Sequence, residues 1–158
     1  MDPPTPSKPS RRPGSAEGAS DVRCVVIDAN VLVSFFVDRD ETQRAAAKAL
    51  LLEAVAGEIT AIIPQFVVFE ISYVFQTMYG AAGERLATMI RDVITLPGAR
   101  VIDDCPWKQV LQVWPDPLPS LADAAILALA VTNRYDAVAT FDKKLARRVK
   151  GAGIGTYW

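Results

Sequence analysis

Apolar and polar positions along the chain alternate between two periods, which predicts strands and helices in turn. Cys24-Val25-Val26-Ile27 is a continuous, β-branched apolar run that ends at Asp28, as suits a strand buried on both faces. Residues 31–37 (VLVSFFV) predict a short helix or turn, and 40–56 a helix rich in Ala and Leu, opened by acidic residues and closed by Gly57. A second strand is expected over 58–63. Pro64 then starts a strongly apolar helix over 65–79, stopped by Gly80, and another follows over 81–96 before Pro97-Gly98. Residues 99–103 predict a third strand, 106–114 a short helix, and Pro115-Asp116-Pro117 a rigid loop. Ser120 caps a helix reaching about Asn133, 136–140 predicts a fourth strand, 143–150 the last full helix, and 153–157 an edge strand. This order predicts an α/β fold, a three-layer α/β/α sandwich around a mainly parallel sheet of four to five strands.

Residues 1–20 break the pattern. Five of the eleven prolines stand there among Ser, Gly and Arg, which predicts a disordered tail over 1–20 and one folded domain over 21–158. A length of 158 residues and 51% hydrophobic content suffice for one sizeable core. With 17 Lys+Arg against 18 Asp+Glu the net charge is −1, so a nucleic-acid partner has to be met by a local basic patch. The absence of histidine excludes His acid/base relays, Ser-His-Asp and Cys-His nucleophile systems, and His-ligated zinc. Two cysteines, Cys24 and Cys105, are too few for a zinc ribbon or a disulfide framework. No apolar run approaches the roughly 18 residues of a membrane span, and the first twenty residues hold no signal core. The expectation is a soluble, cytoplasmic protein whose acid/base or metal chemistry rests on carboxylates.

Four carboxylates stand where an α/β sheet places its ligand crevice, or face an apolar surface. Asp28 follows the first buried strand directly and either serves a site or caps the next helix, as does Asn30. Glu70 has Phe66, Val67, Tyr73 and Val74 as helical neighbours. Burying a carboxylate there calls for a cation or donor: a bound metal, or a salt bridge to Arg85 or Arg91. Asp123 stands in Ser-x-x-Asp spacing with Ser120, a capping box that is compatible with a carboxylate pointing into a site. Asp142 lies two residues past the fourth strand and is either a site residue or the N-cap of the last helix.

The order and context of these acids resemble the PIN-domain family, especially the small single-domain ribonucleases that serve as VapC-type toxins in toxin-antitoxin pairs. The motifs are VIDANVLV, FVVFEISYVF, LADAAILALA and the closing ATFD, and the likeness spans residues 23–157. It implies that Asp28, Glu70, Asp123 and Asp142 are catalytic acids, with Asp28, Asp123 and Asp142 as metal ligands and Asn30 and Thr140 as polar neighbours. Ala122 stands where some relatives carry a further acid. Oxygen-only ligands suit Mg²⁺ or Mn²⁺, and two such ions would stand about 3.5–4 Å apart. The implied activity is metal-dependent endoribonuclease hydrolysis leaving 5′-phosphate and 3′-hydroxyl ends. The implied partners are an RNA substrate, a cognate antitoxin and a second copy of the chain, with the apolar helices 65–79 and 81–96 as the dimer surface.

Lys143, Lys144, Arg147 and Arg148 follow Asp142 at i, i+4 spacing, with Leu145 and Val149 turned to the core. They are the candidate RNA-binding residues, or else a solvated helix face. Trp107, Trp114 and Tyr79 are candidates for base stacking or for core contacts. Three rival readings stand beside this one. A haloacid-dehalogenase-type phosphatase needs a second Asp where Asn30 stands, and a receiver module has only Asp103-Asp104 to offer as phosphoacceptor. A non-catalytic PIN-like RNA-binding or protein scaffold is the alternative that metal-dependent cleavage would discriminate.

Overall fold

Val25, Val26 and Ile27 are fully buried, and they form the middle of the sheet. The computed structural model describes residues 21–158; the tail expected over 1–20 lies outside the described residues. Five strands, β1 (Arg23–Ile27), β2 (Ile59–Pro64), β3 (Ala99–Ile102), β4 (Ala137–Ala139) and β5 (Gly155–Thr156), pair in the order β3-β2-β1-β4-β5. Every pairing is parallel, with Ile27 opposite Ala139 at the carboxyl end of the central pair. The helices are α1 (Ala29–Phe36), α2 (Glu41–Val55), α3 (Gln65–Tyr79), α4 (Gly83–Ile94), α5 (Trp107–Val113), α6 (Leu121–Asn133) and α7 (Lys143–Gly151).

Right-handed crossovers that step outward from β1 in opposite directions deposit their helices on opposite faces of the sheet. Accordingly α1 packs on α2 and α3, and α3 on α4, while α6 packs on α5 and α7. The chain is thus the expected α/β sandwich, and the strand order reverses between β1 and β4. A crevice opens at such a reversal because neighbouring loops leave for opposite faces. Helix α6 is buried continuously from Ala124 to Ala130, which explains its all-round apolar sequence. Full burial of Ile126 and Leu129 contributes about 2 kcal/mol each.

Helix ends follow the local chemistry. Gly80 closes α3 in the left-handed region at φ 62°, and Asp40 caps α2 by accepting from the Gln43 N–H at 3.0 Å. Gly98 (φ 78°) leads into β3 so close to the last turn of α2 that an added Cβ would collide with the Ala54 carbonyl. The first helix begins at Ala29, earlier than its apolar run suggested, because Asp28 caps it. The helix expected over 81–96 is confined to Gly83–Ile94. Among the described residues no helix is long and apolar enough to cross a membrane.

Candidate active site

Asp28 stands one residue past β1, and its N–H continues the ladder by donating to the Ala139 carbonyl at 3.0 Å. Its carboxylate is buried and accepts three hydrogen bonds. Oδ1 accepts from the Ala29 N–H (2.7 Å), and Oδ2 accepts from the Thr140 hydroxyl (2.6 Å) and the Asn30 side-chain amide (2.8 Å). Asn30 in turn accepts from the Phe141 N–H (3.1 Å), while the Asp142 N–H donates to the Thr140 hydroxyl (3.0 Å). Asn30 and Thr140 therefore fasten the end of β1 to the segment that carries Asp142. A second hold on that segment comes from Trp158, whose ring stacks on Phe141 with centroids 4.8 Å apart.

The capping and site roles left open by the sequence coexist. Asp142 caps α7, its Oδ1 accepting from the Lys144 and Leu145 N–H groups at 2.7 and 3.3 Å. Asp123 lies in the first turn of α6, where its N–H donates to the Ser120 hydroxyl at 3.2 Å. The Asp123 carboxylate shares the Ser120 hydroxyl and lines the same cavity as Asp142.

Electrostatics join all four acids. Burial pushes the Asp28 carboxyl up to about 6, against the downward pull of the Thr140 and Ala29 hydrogen bonds, and Asp123 and Asp142 push it further up. Glu70 is raised by burial and then by Asp28 and Asp123; Asp123 is raised by burial and then by Asp142, against its bond with Ser120. Glu70 also carries the feature its sequence context foreshadowed: Oε2 is buried without a hydrogen-bond partner. The alternative salt bridge is not formed. Arg91 pairs with Glu84 at 3.6 Å, and no arginine reaches Glu70 among the described residues. Among the described residues no three Cys, Asp or Glu side chains stand together as a ready-formed ion site.

Beside the acids, a cavity of about 430 Å³ is lined by Asp123, Asp142, Lys144, Arg147 and Arg148 together with the loop 117–119. Lys143 opens α7, is exposed and lies outside this lining. Of the candidate stacking residues, Trp107 is exposed. Trp114 is half-buried and donates its ring N–H to the Pro119 carbonyl at 3.2 Å, and Tyr79 accepts from Arg39 at 3.4 Å. A larger cavity, about 670 Å³, contains Glu70, Asp103, Asp104 and Trp107 in its lining, with Phe66, Phe69 and Tyr73 from α3. Sequence reasoning passed over Phe69, Tyr73 and the 117–119 loop as site residues. The i, i+3, i+4, i+7 spacing of Phe66, Phe69, Glu70 and Tyr73 was the available signal, since it sets rings beside a candidate acid.

The family profile of the PIN domain matches residues 25–151. No curated protein sequence matches the chain. Among solved structures, the chain is similar to Mycobacterium tuberculosis VapC20, described as a sarcin-ricin loop cleaving toxin, with a TM-score of 0.62 and 16% identity. The match covers 78% of this chain and 94% of that one. At this identity the likeness is one of fold.

Proposed function

The chain belongs to the PIN domain family, a nuclease family, and on that premise we propose that it is a Mg²⁺- or Mn²⁺-dependent endoribonuclease, the toxin of a toxin-antitoxin pair. The observation that carries the proposal is the set of four carboxylates at the strand-order reversal, where Asp28, Asp123 and Asp142 act on one another and Glu70 feels Asp28 and Asp123.

The donor set fits a hard divalent cation. It offers only oxygen, its members repel one another, and the buried Glu70 oxygen has no hydrogen-bond partner. Asp28, Asp123 and Asp142 would hold the ion, with Glu70 beside them. When bound, such an ion supplies positive charge to a phosphodiester and lowers the pKa of water. The chain's own groups do the rest. Thr140, Asn30 and the Ala29 N–H fix the Asp28 carboxylate in one orientation, and the α7 cap fixes Asp142. Lys144, Arg147 and Arg148 draw the RNA backbone toward acids that would otherwise repel it. Without histidine to activate a 2′-hydroxyl, attack by water is the simpler route, and products should carry 5′-phosphate and 3′-hydroxyl ends.

The test is cleavage of single-stranded or loop RNA by the purified protein. Activity should require Mg²⁺ or Mn²⁺ and stop in EDTA; protein that binds RNA but never cleaves it with either metal is instead the non-catalytic scaffold. As partners, the reading adds a protein antitoxin and a second copy of the chain, for which Met78 on α3 and Ile94 on α4 are exposed apolar surface.

Steering and chemistry should separate. Replacing Arg147 and Arg148 by Ala should weaken RNA binding and flatten the slope of log affinity against log salt by roughly 1.4, two single-strand phosphate contacts at about 0.7 each. Metal affinity should be unchanged. Asp142→Asn should do the reverse, weakening metal binding while RNA association survives. Equal salt slopes for the wild type and the double variant in fluorescence anisotropy would return α7 to a solvated face.

A further inference from the structure

The acids lie between two unlike cavities. On the α7 side Lys144, Arg147 and Arg148 offer positive charge, whereas the 670 Å³ cavity between α3, α5 and α6 offers aromatic rings and more carboxylates. Phe69, Tyr73 and Trp107 are 68%, 67% and 56% exposed, so solvent reaches the rings. Glu70 lines this cavity, and so does Ala122, the neighbour of Asp123 in the first turn of α6, which places the cavity beside the acids. Asp103 and Asp104, just past β3, bring two exposed carboxylates to the same lining.

We propose that this cavity is the subsite for one unpaired nucleobase of the RNA next to the cut bond, and that it selects a base with paired N–H donors, guanine foremost. The inference rests on the nuclease reading and adds a substrate preference to it. A phosphate is excluded, because Glu70, Asp103 and Asp104 repel it. A base is neutral, has two apolar faces that stack on rings, and carries its polarity on its edge. Guanine presents N1–H and N2–H side by side, which a carboxylate accepts as a pair. Adenine and cytosine set a ring acceptor beside the amine, and uracil flanks its single N–H with two carbonyls, which a carboxylate repels. The volume exceeds one base, leaving room for its sugar. The strand is thereby oriented, with phosphates over α7 and a base in the α3–α5 cleft.

The test compares three labelled pentanucleotides by anisotropy in EDTA, where no cut occurs: UUGUU, UUUUU, and the same strand with an abasic centre. Wild type should bind UUGUU about tenfold more tightly than the abasic strand, the scale of one base stacked on aromatic rings, with UUUUU between. The Phe69→Ala/Trp107→Ala variant should lose that difference, and Phe69→Tyr/Trp107→Phe should keep most of it. Arg147→Ala/Arg148→Ala should weaken all three strands alike and preserve the difference. RNA that is bound and cleaved with no distinction among the centres overturns the subsite and leaves the nuclease reading standing; failure to bind any RNA overturns both. A dimer that Phe69→Ala/Trp107→Ala turns into monomers in sedimentation, with base discrimination unchanged, reassigns the surface to protein contact and overturns the subsite.

Discussion

Asp28→Asn should lower RNA cleavage on the order of a thousandfold while leaving fold and RNA affinity in place, because residues that act as one catalytic unit fail together. Asn has nearly the shape of Asp and keeps an oxygen for the Thr140 hydroxyl, which now lies 2.6 Å from Oδ2. What it loses is the charge that an ion would bind, and its amide in place of an oxygen confronts donors from Ala29 or Asn30. The variant should also require far more Mg²⁺ for its residual turnover. RNA cleavage at the wild-type rate by Asp28→Asn, measured on a gel with EDTA controls, would remove Asp28 from the chemistry.

The second large effect is on stability without metal. The Asp28 carboxyl sits at about 6 in the folded protein against an ordinary 3.8, so between those pH values the native state holds a proton that the unfolded chain has released. Stability from this group is therefore fully present below about pH 4 and is lost as pH rises through about 6, to the extent of about 3 kcal/mol. Glu70 and Asp123 are raised too and act in the same direction. Metal-free wild type should consequently be less stable to urea at pH 7 than at pH 5, while Asp28→Asn shows a flatter profile and overtakes it by on the order of 2 kcal/mol at pH 7. Adding Mg²⁺ at pH 7 should close the gap from the wild-type side only. Parallel profiles for the two proteins would show that burial of Asp28 carries no such cost.

The two strand-end acids were the most legible part of the site, since a polar residue directly after a buried β-branched run marks a strand's carboxyl end. The helix over residues 65–79 was equally plain because Pro64 and Gly80 punctuate it. Glu70 was legible as a problem, a carboxylate among apolar neighbours, but only packing decided that no arginine answers it. The joint formed by Asn30 and Thr140 could be foreseen only as proximity. Their hydrogen bond spans 110 residues and requires that β4 lie beside β1, which alternation of elements does not specify. Lys143 shares its composition with Lys144 yet misses the cavity, a difference of one residue in helical phase that charge counting does not resolve. Asp103 and Asp104 stand out in the sequence only as a receiver-type phosphoacceptor candidate, and it is the sheet order that brings the end of β3 toward α3 and α5.

The order β3-β2-β1-β4-β5 sets when the acid centre can assemble as the chain is made. As the chain leaves the ribosome, β1, β2 and β3 can pair among themselves, but one edge of β1 waits for residues 137–139. The segment that fills this edge is followed at once by Thr140 and Asp142, which orient Asp28 and complete the acid set. Closure of the sheet and assembly of the charged centre are thus one event late in synthesis. Translation halted before that point leaves a fragment with an open, apolar strand edge and an incomplete acid set, a substrate for chaperones and proteases.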